Sequence, residues 1–271
     1  MTKQSNNPKA GSLDSSKGKP NRREQLRAQQ LKEAQRQRQQ RILIVGAIVL
    51  AVLIVLIVGV SVVQHLSNSK KPAAGTQIIP PNANADHSAI KYEAEVKKNI
   101  PTVTVIMDFQ CPGCAYAHKQ LVPTFEKLAD DGRINLEFQI LHMLDSHFPG
   151  QHSERAVIAA TCSDQYNIFP HYARTIFEHQ PATEGDGWTD DELMSWAQEV
   201  GLPAEKVNDL RTCLVDRQTS DFVNEMQSKL PDYVTATPSF VTNGKLIDNK
   251  NINEQAAIDE DKLFELIESY Q

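Results

Sequence analysis

The chain has 271 residues, 40% of them hydrophobic, a formal net charge of −6 and 4 cysteines. That length allows one globular domain of ordinary size with appendages, and so few cysteines exclude a miniature fold held together by disulfides. The charge is uneven: residues 1–41 hold eleven Lys/Arg and three Asp/Glu, a net of +8, which leaves −14 for the rest.

That basic head contains no aromatic residue, and the segment after it explains it better than nucleic-acid binding does, so no nucleic acid is expected. Ile42 to Val63 is twenty-two residues without a charge. At about 1.5 Å per residue it spans a hydrocarbon core of roughly 30 Å. It is longer than the apolar core of a cleavable signal peptide, and no small-x-small site follows closely, so it reads as an uncleaved signal anchor in the lipid bilayer. Seven Lys/Arg stand in the twenty residues before it, against Lys70 and Lys71 in the twenty after it. The positive-inside bias therefore puts the 1–41 tail in the cytoplasm and the acidic remainder outside the cell membrane. Residues 64–87, with Pro72, Pro80 and Pro81, read as a linker.

Val103 to Met107 is short, apolar and β-branched, and predicts a buried strand; Ala115 to Leu128 carries apolar residues at helical spacing. Between them stands Cys111-Pro112-Gly113-Cys114. Two thiols separated by two residues at a helix start can close a small disulfide, and the first lies against unpaired N–H groups and the positive end of the helix dipole. That stabilises a thiolate, so Cys111 is the candidate nucleophile and Cys114 the resolving thiol. A structural zinc site would want a second closely spaced pair, and Cys162 and Cys213 are far apart. Redox chemistry is favoured, with a plain structural staple as the remaining alternative. Asp108 reads either as a proton-transfer group or as a solvated strand end.

Asp131-Gly132 stops the helix, and the alternation of Ile134 to Ile140 predicts a strand, completing a βαβ unit with a parallel pair. Residues 146–232 change character. Helices are predicted over 153–165, 169–178, 190–200, 204–214 and 216–230, the third opened by a capping box between Thr189 and Glu192. Strand signals return at Ser239 to Thr242 and Lys245 to Ile247 around Asn243-Gly244, the strongest short hairpin signal. An amphipathic stretch, Glu260 to Tyr270, closes the chain. Trp188 and Trp196 read as packing residues of the helical block, although the Gly185 to Trp188 loop could contact a partner. His118 reads as a partly exposed helix histidine. His142, His147 and His152 cluster without a carboxylate at ligand spacing, so no metal is expected.

Strand, CxxC helix, strand, helical block, hairpin and closing helix, in that order, resemble a DsbA-like thiol-disulfide oxidoreductase of the membrane-anchored actinobacterial and Gram-positive kind. The residues that carry the likeness are Asp108-Phe109-Gln110-Cys111-Pro112-Gly113-Cys114, Ser153-Glu154-Arg155-Ala156 through Cys162, the helix end Phe177 to Pro181, and Thr237-Pro238-Ser239-Phe240. It covers residues 88–271 and implies an α/β thioredoxin fold with an all-helical insertion over about 146–232. It further implies a cis bond before Pro238 and a substrate chain held by Thr237 and Pro238. Outside the cytoplasm, Cys162 and Cys213 would form a lasting disulfide. The likeness departs at Gly113, where the strongest oxidants carry histidine, and at Val105, where relatives often bury a carboxylate.

The function expected is introduction of disulfides into exported cysteine-containing proteins, with no cofactor and with recycling by a membrane partner of the VKOR or DsbB type. The alternatives are a reductase or isomerase, as in cytochrome c maturation, and a non-catalytic membrane-tethered module that binds extended peptides.

Overall fold

The apolar β-branched run lies within β2 (Thr102–Asp108), the middle strand of a five-stranded sheet of order β1-β3-β2-β4-β5. β1 (Ile90–Lys91) and β3 (Asn135–Leu141) stand on one side of it, β4 (Ser239–Thr242) and β5 (Lys245–Ile247) on the other. β2 and β3 run parallel with Val105 opposite Phe138, and the remaining pairs are antiparallel. The molecule is seen here in a computed structural model that describes residues 75–270 apart from 94, 257 and 258. The expected cytoplasmic tail 1–41, the membrane anchor 42–63 and the linker up to residue 74 lie outside the described residues, among which no helix is long and apolar enough to cross a membrane.

Alternation along β2 sends Val103, Val105 and Met107 into the main core and Ile106 to the opposite face, where Leu141, Val234 and Val241 cover it. Burial on both faces in the second half of the strand is why Val105, Ile106 and Met107 follow one another as apolar residues, while Thr102 and Thr104 in the first half are only partly buried. Asn243 and Gly244 both have positive φ, 50° and 73°, the pair of conformations a two-residue hairpin of type I′ requires.

One long helix was expected over 115–128, but the chain divides at Leu121 into α1 (Pro112–Gln120) and α2 (Val122–Asp130). Pro123 has no N–H to give the preceding turn and its ring crowds that turn, so the helix restarts with Pro123 in its first turn. The helical block comprises α3 (His152–Ser163), α4 (Phe169–Glu178), α5 (Asp190–Glu199), α6 (Val207–Val215) and α7 (Ser220–Ser228). The capping box is present: Glu192 N–H donates to Thr189 Oγ1 at 3.2 Å, and Thr189 N–H to Glu192 Oε2 at 2.8 Å. The helix expected from 216 starts only at Ser220, because Arg217 sits at φ 53°, where its guanidinium makes a buried ion pair with Glu154. Side chains of this block and of the sheet share one core, from Phe138 on β3 to Phe169 and Tyr172 on α4.

Two elements carry too little pattern to be read from sequence. They are the two-residue β1 and α8 (Asn249–Ala256), which precedes α9 (Glu260–Glu268). Part of the expected linker also departs from the reading of a tether. Gly75 N–H donates to Asp216 O at 2.6 Å, Ile78 N–H to Gln218 O at 2.7 Å, and Asn82 N–H to Asp164 Oδ2 at 2.7 Å. Its prolines exclude helix, yet an extended strap can still hydrogen-bond to the turns that follow α3 and α6.

Candidate active site

β2 delivers the chain to a turn over 108–111, and α1 starts at once with Cys111 as its N-cap and Pro112 as its first residue, a position where proline's missing N–H costs nothing. Cys111 is partly exposed and Cys114 fully buried, and both are free thiols. The Cys111 thiol is pushed down to about 6, chiefly because the Cys114 side chain hydrogen-bonds to its sulfur. Burial opposes this, while the Thr237 side chain and the N–H groups of Cys114 and Gly113 assist it. The Cys114 thiol is pushed well up by burial and by the neighbouring Cys111. One sulfur is thus partly exposed and favours its thiolate while the other is a buried thiol, the asymmetry a nucleophile and a resolving group need.

β4 pairs with β2 so that Ser239 lies opposite Ile106, which sets the preceding Thr237-Pro238 bond, in the cis form, beside the thiols. When protonated, the Cys111 thiol donates to Thr237 O at 3.5 Å. A Cβ added at Gly113 would stand 3.4 Å from Pro238 Cδ and 3.8 Å from Cys111 Sγ, so residue 113 faces both the proline loop and the Cys111 sulfur.

Asp108 is not a solvated strand end: it is fully buried. Its N–H donates to Cys114 Sγ at 3.5 Å. Its carboxylate accepts from Ser153 Oγ at 2.6 Å, Gln110 N–H at 2.9 Å and Leu144 N–H at 3.0 Å. Burial nevertheless raises it to about 6. These partners bind the active-site turn to the start of α3, where Asp145 accepts from the N–H groups of Ser153 and Glu154 at 2.9 and 2.8 Å. His118 likewise departs from expectation: it is 2% exposed, stacked on Phe177 with ring centroids 4.8 Å apart, and burial pushes it down to about 3. It is a neutral core side chain at working pH.

Three residues to which the sequence reading assigns no role of their own join the site. Ser153 and Asp145 hold the turn as described, and Gln180, just past α4, donates from Nε2 to Phe109 O at 2.6 Å and Cys111 O at 2.9 Å. A glutamine before a proline at a helix end carries no local signal of such a contact. Cys162 on α3 and Cys213 on α6 are joined, with Cα atoms 6.1 Å apart. Among the described residues no group of His, Cys, Asp or Glu is arranged to hold a metal ion.

The family model described as thioredoxin matches residues 97–260. No curated protein matches the sequence. Among solved structures, the chain is similar to the MdbA thiol-disulfide oxidoreductase of Corynebacterium diphtheriae, with a TM-score of 0.55 and 23% identity over 67% of this chain and 95% of that one. The MdbA protein of Actinomyces oris gives a TM-score of 0.58 at 15% identity, over 73% and 96% of the two chains. Oxidised BdbD from Bacillus subtilis gives 0.51 at 22%, over 72% and 98%. At these identities the likeness is one of fold.

Proposed function

The chain belongs to the thioredoxin family, and from that premise we propose that it is a protein thiol-disulfide oxidoreductase of the DsbA type, acting through Cys111 and Cys114. The observation that carries this reading is the unequal pair: Cys111 pushed down to about 6 and partly open, Cys114 buried and pushed up. In the oxidised pair, a substrate thiolate attacks Cys111 Sγ, the bond to Cys114 breaks, and Cys114 leaves with the electron pair and takes up a proton. The substrate's second thiol, deprotonated, then attacks its own sulfur in the mixed disulfide and expels the Cys111 thiolate. The substrate loses two electrons and two protons, and the enzyme pair gains the electrons. The contact of Cys111 with Thr237 O and the cis bond before Pro238 support these two residues as the ones an extended substrate chain would meet, proline having no N–H of its own to satisfy.

The direction we propose is oxidation. A depressed nucleophile stabilises the reduced pair and makes the disulfide a better oxidant, and about 6 lies between thioredoxin at about 7 and DsbA at about 3.5. The charge-free run 42–63 and the basic residues before it support a membrane-anchored protein with its redox domain outside the cell. There it would serve exported cysteine-containing proteins and hand its electrons to a membrane partner of the VKOR or DsbB type.

The test is exchange itself. The purified oxidised chain is expected to oxidise a reduced multi-cysteine protein stoichiometrically, Cys111→Ser to abolish this, and Cys114→Ser to trap mixed disulfides. Exchange undiminished in both variants would make the pair a structural staple and the protein a binding module.

A further inference from the structure

Gln180 stands outside the sheet and outside α1, yet its side chain touches the loop that carries the nucleophile. It follows α4 directly, and that helix end is fixed in several ways. Phe177 packs on Phe109 at 4.7 Å, His179 stacks on Trp196 at 4.6 Å, and Trp188 Nε1 donates to His179 O at 2.8 Å. From this mount the Gln180 carboxamide gives both of its N–H bonds to carbonyls on either side of Gln110, those of Phe109 and Cys111. The Cys111 carbonyl also accepts from Cys114 N–H at 2.9 Å and Ala115 N–H at 3.2 Å, the bonds that start α1.

A carbonyl oxygen and a thiolate repel, while an N–H and a thiolate attract, so the setting of these few peptide planes decides what the Cys111 sulfur faces. With the Phe109 and Cys111 carbonyls tied to Gln180, the N–H groups of Gly113 and Cys114 are the backbone groups that donate to that sulfur. We propose that Gln180 is a positioning residue: it fixes the peptide planes of Phe109 and Cys111, so that the helical block, through one side chain, sets how well the Cys111 thiolate is stabilised. This rests on the redox reading of the pair.

The experiment compares the full chain with Gln180→Leu, which keeps bulk and loses the donors, and Gln180→Glu, which sets an acceptor against two carbonyls. Alkylation of Cys111 by iodoacetamide is followed against pH, with thermal unfolding alongside. A rise of one pKa unit from about 6 would lower the rate at pH 6.5 by about threefold in Gln180→Leu, with a larger loss for Gln180→Glu. Lowered melting temperatures with an unchanged alkylation profile would make Gln180 a brace only and overturn the proposal. A measurement on the unmutated chain serves if the variants misfold: the ¹⁵N side-chain signals of Gln180 are expected to titrate with Cys111, and flat signals would overturn the proposal too. A chain that shows these shifts but transfers no disulfide would leave the positioning role standing and remove the enzymatic reading.

Discussion

At the scale of single residues, the acidity of Cys111 is assembled from neighbours that carry no charge: a thiol, a hydroxyl and two backbone N–H groups. At pH 7 only the part of the shift that lies below ambient pH favours the reduced pair. That part is about one unit, or about 1.4 kcal/mol and 30 mV for a two-electron couple. Position 113 is where this can be altered, since a Cβ there would stand 3.8 Å from the sulfur and in van der Waals contact with Pro238 at 3.4 Å. Gly113→His adds a donor and partial positive charge beside the thiolate. It is expected to lower the Cys111 pKa by about one unit and raise the potential by about 30 mV. Thiolate absorbance against pH and equilibration with glutathione read the two quantities; an unchanged or raised pKa would mean that a side chain at 113 does not reach the sulfur.

At the scale of elements, periodicity, capping and turn chemistry made most of the framework legible in the sequence. α4 falls on the expected 169–178, α5 opens at the expected capping box, and the Asn243-Gly244 turn closes the expected hairpin. What was illegible has physical causes. The break at Leu121 comes from Pro123 acting on a pattern that otherwise reads as one helix, and the late start of α7 comes from a tertiary ion pair that holds Arg217 left-handed. The site divides in the same way. The CxxC pair was legible because two cysteines at a strand-to-helix junction have few other uses, whereas Ser153 and Gln180 reach the active-site turn from 43 to 71 residues away in sequence. Such partners leave no local pattern. The bond between α3 and α6 makes its own claim: closing a loop of separation 51 is worth about 4 kcal/mol in chain entropy. Mild native reduction, then alkylation in denaturant and intact mass, is expected to modify Cys111 and Cys114, whose pair is reached through the partly exposed Cys111, while Cys162 and Cys213, neither of them exposed, stay linked. Equal labelling of all four would show the helical block to open as easily as the active site.

At the scale of the whole molecule, the fold holds carboxyl groups in places that disfavour their charge. Burial raises Asp108, Glu126, Glu137, Asp145 and Asp164, and for Asp108 it outweighs three hydrogen bonds that favour the carboxylate. A group whose folded pKa lies above its unfolded value binds its proton more tightly in the native state. Its stabilising contribution is complete below the unfolded pKa and is lost as pH rises through the folded one. For Asp108 that window runs from 3.8 to about 6, and the loss is on the order of 3 kcal/mol at 1.36 kcal/mol per unit. The chain is therefore expected to gain stability as pH falls from about 6.5 toward 4, until charge repulsion at lower pH reverses the trend. Asp108→Asn isolates one contribution. Whatever constant offset its amide brings by facing the Leu144 and Gln110 N–H groups, the variant should gain on the parent by that amount as pH rises from 4 to 7. Urea unfolding of both proteins across this range reads the difference directly, and a gap that stays constant with pH would mean that Asp108 is charged in the folded state throughout, held by its three donors against burial.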